Sequence, residues 1–268
     1  MSTRAKWSKY AAVGRITIRS QLAYVGDFVI RSLFLLLILY IFMQLWRVTF
    51  AGEGTDRIAG YTYEQIIWYL IVAESVILST PKLIALIETE VKNGDVGYRL
   101  IRPVHYVLYH YAGFMGETVV RLAVNLGVGS LLGVAAFGWS MPSGIRLAAL
   151  AVVLIGSFTV QYAMNMAIAL CAFWVEETRG LDFVYQKLLF TVGGMLLPLE
   201  LFPGALQSVS SWLPFQAVAY FSAKTAVQFE ANEWLRMLAV QGLWIAALLT
   251  LAFAIYRRGV RKLHVNGG

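Results

Sequence analysis

Five polar side chains sit inside long apolar runs of this chain: Glu74, Glu117, Arg121, Gln161 and Asn165. Glu117 and Arg121 stand four residues apart with the acid first, the favourable order for an ion pair on a helix, so each offsets the other's desolvation. Glu74 is expected to face that pair or Arg31, and Gln161 and Asn165, one turn apart, make a polar stripe. Two readings fit such groups: they pair to hold a helix bundle together, or they line a substrate path. A proton relay would have the same appearance in sequence.

Other chemistries lack their residue patterns. There is no G-x-x-x-x-G-K-[ST] phosphate loop, so the chain has no ordinary means of cradling a nucleotide, and no cofactor is expected on it. The histidines, His105, His110 and His264, fall at a loop edge, an interface and a tail, without metal-ligand spacing. The Ser, His and Asp residues form no nucleophile elbow. Cys171, the single cysteine, lies in an apolar run and reads as a small buried hydrophobe that forms no intrachain disulfide.

The elements that must hold these groups follow from composition. The 268 residues are 59% hydrophobic and 14% charged, well beyond the ~45–50% apolar fraction of soluble domains, which makes this an integral membrane protein. The net charge of +7 comes from basic residues gathered at the ends of apolar runs. That distribution points to anionic lipid and membrane orientation, not to nucleic acid.

Hydropathy predicts a single all-α polytopic domain with six spans, near residues 28–46, 64–80, 106–137, 144–174, 181–197 and 234–256. Residues 1–26 set Trp7, Tyr10, Ile18 and Leu22 against Arg4, Lys6, Lys9, Arg15 and Arg19, the pattern of a basic helix lying in the headgroup plane. No cleavage pattern follows it, so the N-terminus is expected to be kept. Pro142 marks a turn at 139–143, and glycines mark a short connection at 47–63. In residues 198–215, Pro198, Pro203, Gly204 and Pro214 break the last apolar stretch before the sixth span, around Glu200 and Trp212. Irregular backbone at membrane depth needs protein or water around it, so short external re-entrant helices are expected there. With both termini inside, sixteen lysines and arginines fall on the cytoplasmic side. Only Arg47, Arg57, Arg146, Lys224 and Arg236 fall outside, as the positive-inside rule requires.

Between the second and third spans lies a charged island, PKLIALIETEVKNGDVGYRLIRPVH, residues 81–105. Leu83, Ile84, Leu86, Ile87 and Val91 recur at helical spacing, with Lys82, Glu88, Glu90 and Lys92 largely on the wet side. Asn93 and Gly94 tolerate the left-handed conformation that ends helices, and Gly97 and Pro103 stop a second turn. Such a segment is either a solvated loop or a docking surface for a soluble partner.

The order Glu88, Gly94, Leu100, Pro103, and the form GDVGYRLIRPV at residues 94–104, resemble the cytoplasmic coupling segment of type-two ABC transporter permeases, in the branch with a Leu-x-Arg-Pro element. LPLELFPG at 197–204 and WLPF at 212–215 are similar to that family's external break, while YFSA at 220–223 lacks a proline often found after the aromatic. The resemblance implies an inner-membrane exporter subunit coupled to a separate ABC ATPase in two copies, which would carry the ATP and Mg. It also implies a second permease, with a heterodimer favoured over a homodimer. Ile84, Ile87, Glu88, Glu90, Lys92, Gly94, Arg99, Arg102 and Pro103 would be the ATPase-coupling residues. Two rival classes remain at this stage. An ion-driven secondary transporter would show interrupted helices in both halves, and a lipid-processing enzyme would need clustered acids or a metal motif.

Overall fold

The computed structural model describes residues 3–138 and 144–262, so the turn expected at 139–143 and His264 lie outside the described residues. The described residues are all-α: α1 Thr3–Ala23, α2 Val25–Glu53, α3 Tyr63–Leu78, α4 Leu83–Lys92, α5 Asp95–Leu100, α6 Tyr106–Phe137, α7 Ile145–Ala169, α8 Arg179–Val192, α9 Gly204–Trp212, α10 Tyr220–Val227 and α11 Ala231–Lys262. Short 3-10 turns follow α7 and flank α9. Five stretches are long and apolar enough to cross a membrane: Phe28–Glu53, Tyr63–Lys92, Tyr106–Phe137, Ile145–Phe173 and Ala231–Lys262.

The fifth expected span differs. Residues 181–197 do not form one helix, because α8 has 14 residues and stops at Val192. At ~1.5 Å per residue it covers roughly 21 Å, short of a ~30 Å hydrocarbon core. Gly193 and Gly194 end it, with Gly194 at φ +70, a conformation that side chains resist. The first span differs in the other direction. α2 runs on through residues 47–53, because no breaker stands before Gly52, and it ends where Gly54 takes φ +61 and donates its N–H to Phe50 O.

α3 starts at a capping box, in which Thr62 accepts from Gln65 N–H and the Gln65 side chain accepts from Thr62 N–H. With α7 it is the most buried of these five stretches; α3 packs against α2, α6 and α10, and α7 against α4, α6, α10 and α11. α6 meets its neighbours through glycines. A Cβ on Gly133 would lie 2.8 Å from Ile71 of α3, and one on Gly116 would lie 2.7 Å from Gly14 O of α1. Small residues let helices approach closely where lipid supplies no hydrophobic push. Pro81 separates α3 from α4, and Gly94 at φ +74 separates α4 from α5. Asn93 stays helical at φ −82, and Gly97 sits inside α5 and does not end it.

Long-range contacts sort the molecule into two ends. At one, Lys9 Nζ donates to Pro103 O, Tyr10 accepts from His105 N–H, and the His105 ring meets Phe253 and Tyr256. At the other, Gln228 reaches Gly60 O and Trp234 reaches Ala149 O. α1 and the last turns of α11 thus lie at the same end as α4.

Candidate functional site

α4 packs against α7 and the Leu170–Phe173 turn through Leu83, Ile84 and Ile87, so Ile84 and Ile87 face inward. Glu88 and Glu90, expected on the wet face, are buried at 7% and 4% exposure. Glu88 accepts hydrogen bonds from Thr178 N–H (2.9 Å) and Thr178 Oγ1 (2.5 Å) and pairs with Lys92 Nζ at 2.7 Å. Thr178 immediately precedes α8, so Glu88 sets a negative charge at that helix's positive end. Glu90 lies 2.8 Å from Arg99 Nη2 of α5, accepts from the Tyr106 hydroxyl at 2.8 Å, and lies 3.2 Å from His110 Nε2, both on α6. The two carboxylates therefore bind the segment to α8 on one side and to α5 and α6 on the other. What the segment exposes is different: Gly94, Arg102 and Pro103 are open to solvent, with Tyr98 74% and Ile101 83% exposed.

The polar groups of the long helices fall into separate clusters. Arg121 pairs with Glu117, as the spacing predicts, and reaches Thr80 O at 3.4 Å. One turn on, Asn125 donates to Ser79 Oγ (3.0 Å) and accepts from Ser32 Oγ (2.8 Å), tying α6 to the end of α3 and to α2. Glu74 is 4% exposed and makes no hydrogen bond or ion pair with another described residue, so the expected contact with Glu117 and Arg121 is absent. The Arg31 side chain lies outside the described residues. Gln161 and Asn165 are buried on α7, Gln161 beside Tyr185 of α8.

At the opposite end the broken segment enters the bundle. Pro198 leads into the turn that carries Glu200, and Pro203 caps α9. Trp212 closes α9 at 82% exposure, and Pro214 opens a stretch buried continuously over residues 214–226. Ala217 O accepts from Ser157 of α7 and Gln241 of α11. Those donors lie roughly 15–18 Å from their helix starts at ~1.5 Å per residue. The irregular backbone is thus covered by protein at depth.

α10 then climbs back to a charged cluster. Lys224 Nζ is 2.5 Å from both Glu200 Oε1 and Glu233 Oε1, and the Tyr220 and Tyr61 hydroxyls donate to Glu200 at 2.7 and 3.2 Å. Burial alone would raise the Glu200 carboxyl, but Lys224 and Tyr220 outweigh it and hold it below the ordinary carboxylate range. A cavity of roughly 290 Å³ opens beside this cluster, lined by Gln216 and Arg236 as well.

Sequence reasoning found the segment and the break but missed their partners. Thr178, Tyr106 and His110 had no local signal, since Thr178 meets Glu88 across 90 residues. Lys224 was legible only as a basic residue in an apolar stretch, a reason in itself to look for acids nearby. Among the described residues no three His, Cys, Asp or Glu side chains gather as metal ligands.

A search of curated proteins finds no match. A family model described as "ABC-2 family transporter protein" matches residues 30–267. The chain belongs to the ABC-2 transporter family, as a polytopic transport subunit.

Proposed function

We propose that this chain is the permease of an ATP-driven exporter, and that a separate ABC ATPase seats on the exposed face of the coupling segment. Family membership implies an ATPase partner, and the chain has no phosphate loop of its own. The single observation that carries the reading is the split character of α4 and α5. Their outer face leaves Tyr98 and Ile101 bare, while their inner face is fixed by Glu88 to α8 and by Glu90 to α6.

In this reading the segment is cytoplasmic, both termini share its side, and α1 lies in the headgroups. Closure of the ATPase on ATP pushes the segment, and two carboxylates pass the displacement on. Glu90 moves α6, and Glu88 moves α8, which leads into the re-entrant segment. The chain from Thr178 to Glu200 joins the two ends of the bundle, so α8 and the residues after it supply a sixth, broken crossing. Ile84, Ile87, Glu88, Glu90 and Arg99 then transmit, while Lys92, Gly94, Arg102 and Pro103 stay on the docking side. A path needs more helices than one copy supplies, so a second permease completes it, a heterodimer being favoured.

Co-purification tests the docking face. Ile101→Asp, at an exposed position, should leave the permease folded and strip the ATPase from it. Retention of the ATPase by that variant and by a Tyr98→Asp variant would rule the face out.

A further inference from the structure

We infer that the groove between α1, α4 and α6 is a binding site for one anionic phospholipid. The groove is a cavity of roughly 460 Å³. One wall is α6 from Tyr109 to Arg121, about 18 Å of helix at ~1.5 Å per residue, and the facing walls are Val13 and Thr17 of α1 and Lys82 to Leu86 at the start of α4.

Its charge is unbalanced in one direction. Three cationic side chains line it: Lys82, Arg99 and Arg121. Arg121 is matched by Glu117, and Arg99 by the buried Glu90. Lys82 has no carboxylate partner among the described residues. Arg121 Nε is in addition a buried donor without an acceptor, which costs free energy until an acceptor arrives. An anionic oxygen in the groove pairs with Lys82 and sits in the positive field of Arg121.

The rest of the lining selects the carrier of that anion. Val13, Leu83, Leu86 and Phe114 are apolar, a surface that a free phosphate ion cannot use and an acyl chain can. The rim is α1, whose outer face exposes Trp7, Ile16 and Leu22 beside Arg15 and Arg19. Such a helix draws anionic lipid to the mouth of the groove. A lipid seated there wedges the interfacial helix against the coupling helix.

The test uses the full-length permease in detergent, without an ATPase, so its outcome is independent of whether an ATPase docks. Phosphatidylglycerol, phosphatidylcholine or inorganic phosphate is titrated in, with melting temperature and native mass spectrometry as readouts. Phosphatidylglycerol alone should raise the melting temperature and leave one retained lipid. Lys82→Glu, at an exposed position, should weaken it about five- to tenfold. Leu86→Trp should block it by filling the groove, and Arg258→Gln, in the last turns of α11 and outside the groove lining, should not. Equal protection by phosphatidylcholine, full protection by phosphate alone, or unchanged affinity in both groove variants would each overturn the site.

Discussion

The two ends of the bundle both engage carboxylates, buried at the first and half-buried at the second, and they use them in opposite ways. At the α4 end, Glu88 and Glu90 have separate partners and spread their bonds over α5, α6 and α8, so a segment with an exposed outer face is tied to several helices. At the other end, Glu200 and Glu233 converge on one cation, Lys224, which closes a buried loop onto α11. In the proposed reading, distributed bonds would pass a displacement onward, whereas a shared cation would hold one arrangement. The first arrangement suits a lever and the second a latch.

The largest effect should come from removing the shared cation. Lys224→Met leaves two carboxylates facing each other, at a cost of about 3 kcal/mol, the low end for a broken buried pair because Glu233 is a third exposed. A thermal melt in detergent reads this, and adding Glu200→Gln should recover part of the loss. Little change in the single variant would mean the cluster is no latch.

A close second is Gly133→Ala. Its methyl would press on Ile71 and Trp68, an overpacking cost of about 1–3 kcal/mol, whereas Gly127→Ala has open space around it and should be neutral by the same melt. Thr178→Val ranks third. It removes the 2.5 Å hydroxyl bond to Glu88 but keeps the backbone one, so the loss should be about 1.5 kcal/mol, within the range for bonds to charged groups. Smallest is Ile101→Asp, where stability should shift by under ~0.5 kcal/mol while ATPase retention collapses. That contrast separates a docking face from a structural one.

Much of this was legible in the sequence. Apolar runs marked α3, α6 and α7, the acid-first spacing marked the Glu117–Arg121 pair, and Gly94 marked the end of α4. Other features were hidden for physical reasons. A period-3.6 pattern assigns every charge to the wet face, but Glu88 and Glu90 are stabilised inside by donors from distant helices, which no local window contains. α8 was overextended because residues 193–197 stay apolar, and hydropathy does not register the turn at Gly194. α10 escaped notice because eight mostly apolar residues are too few to show a period. α2 was cut short because hydropathy falls before helical backbone ends.

The lever is tested most directly by ATP hydrolysis and transport measured together in a Glu88→Gln permease bound to its ATPase. The account predicts that the complex still assembles and hydrolyses ATP while transport per ATP falls, because Ile101 and Tyr98 still dock but the link to α8 is weakened. Transport per ATP at the wild-type level would contradict it.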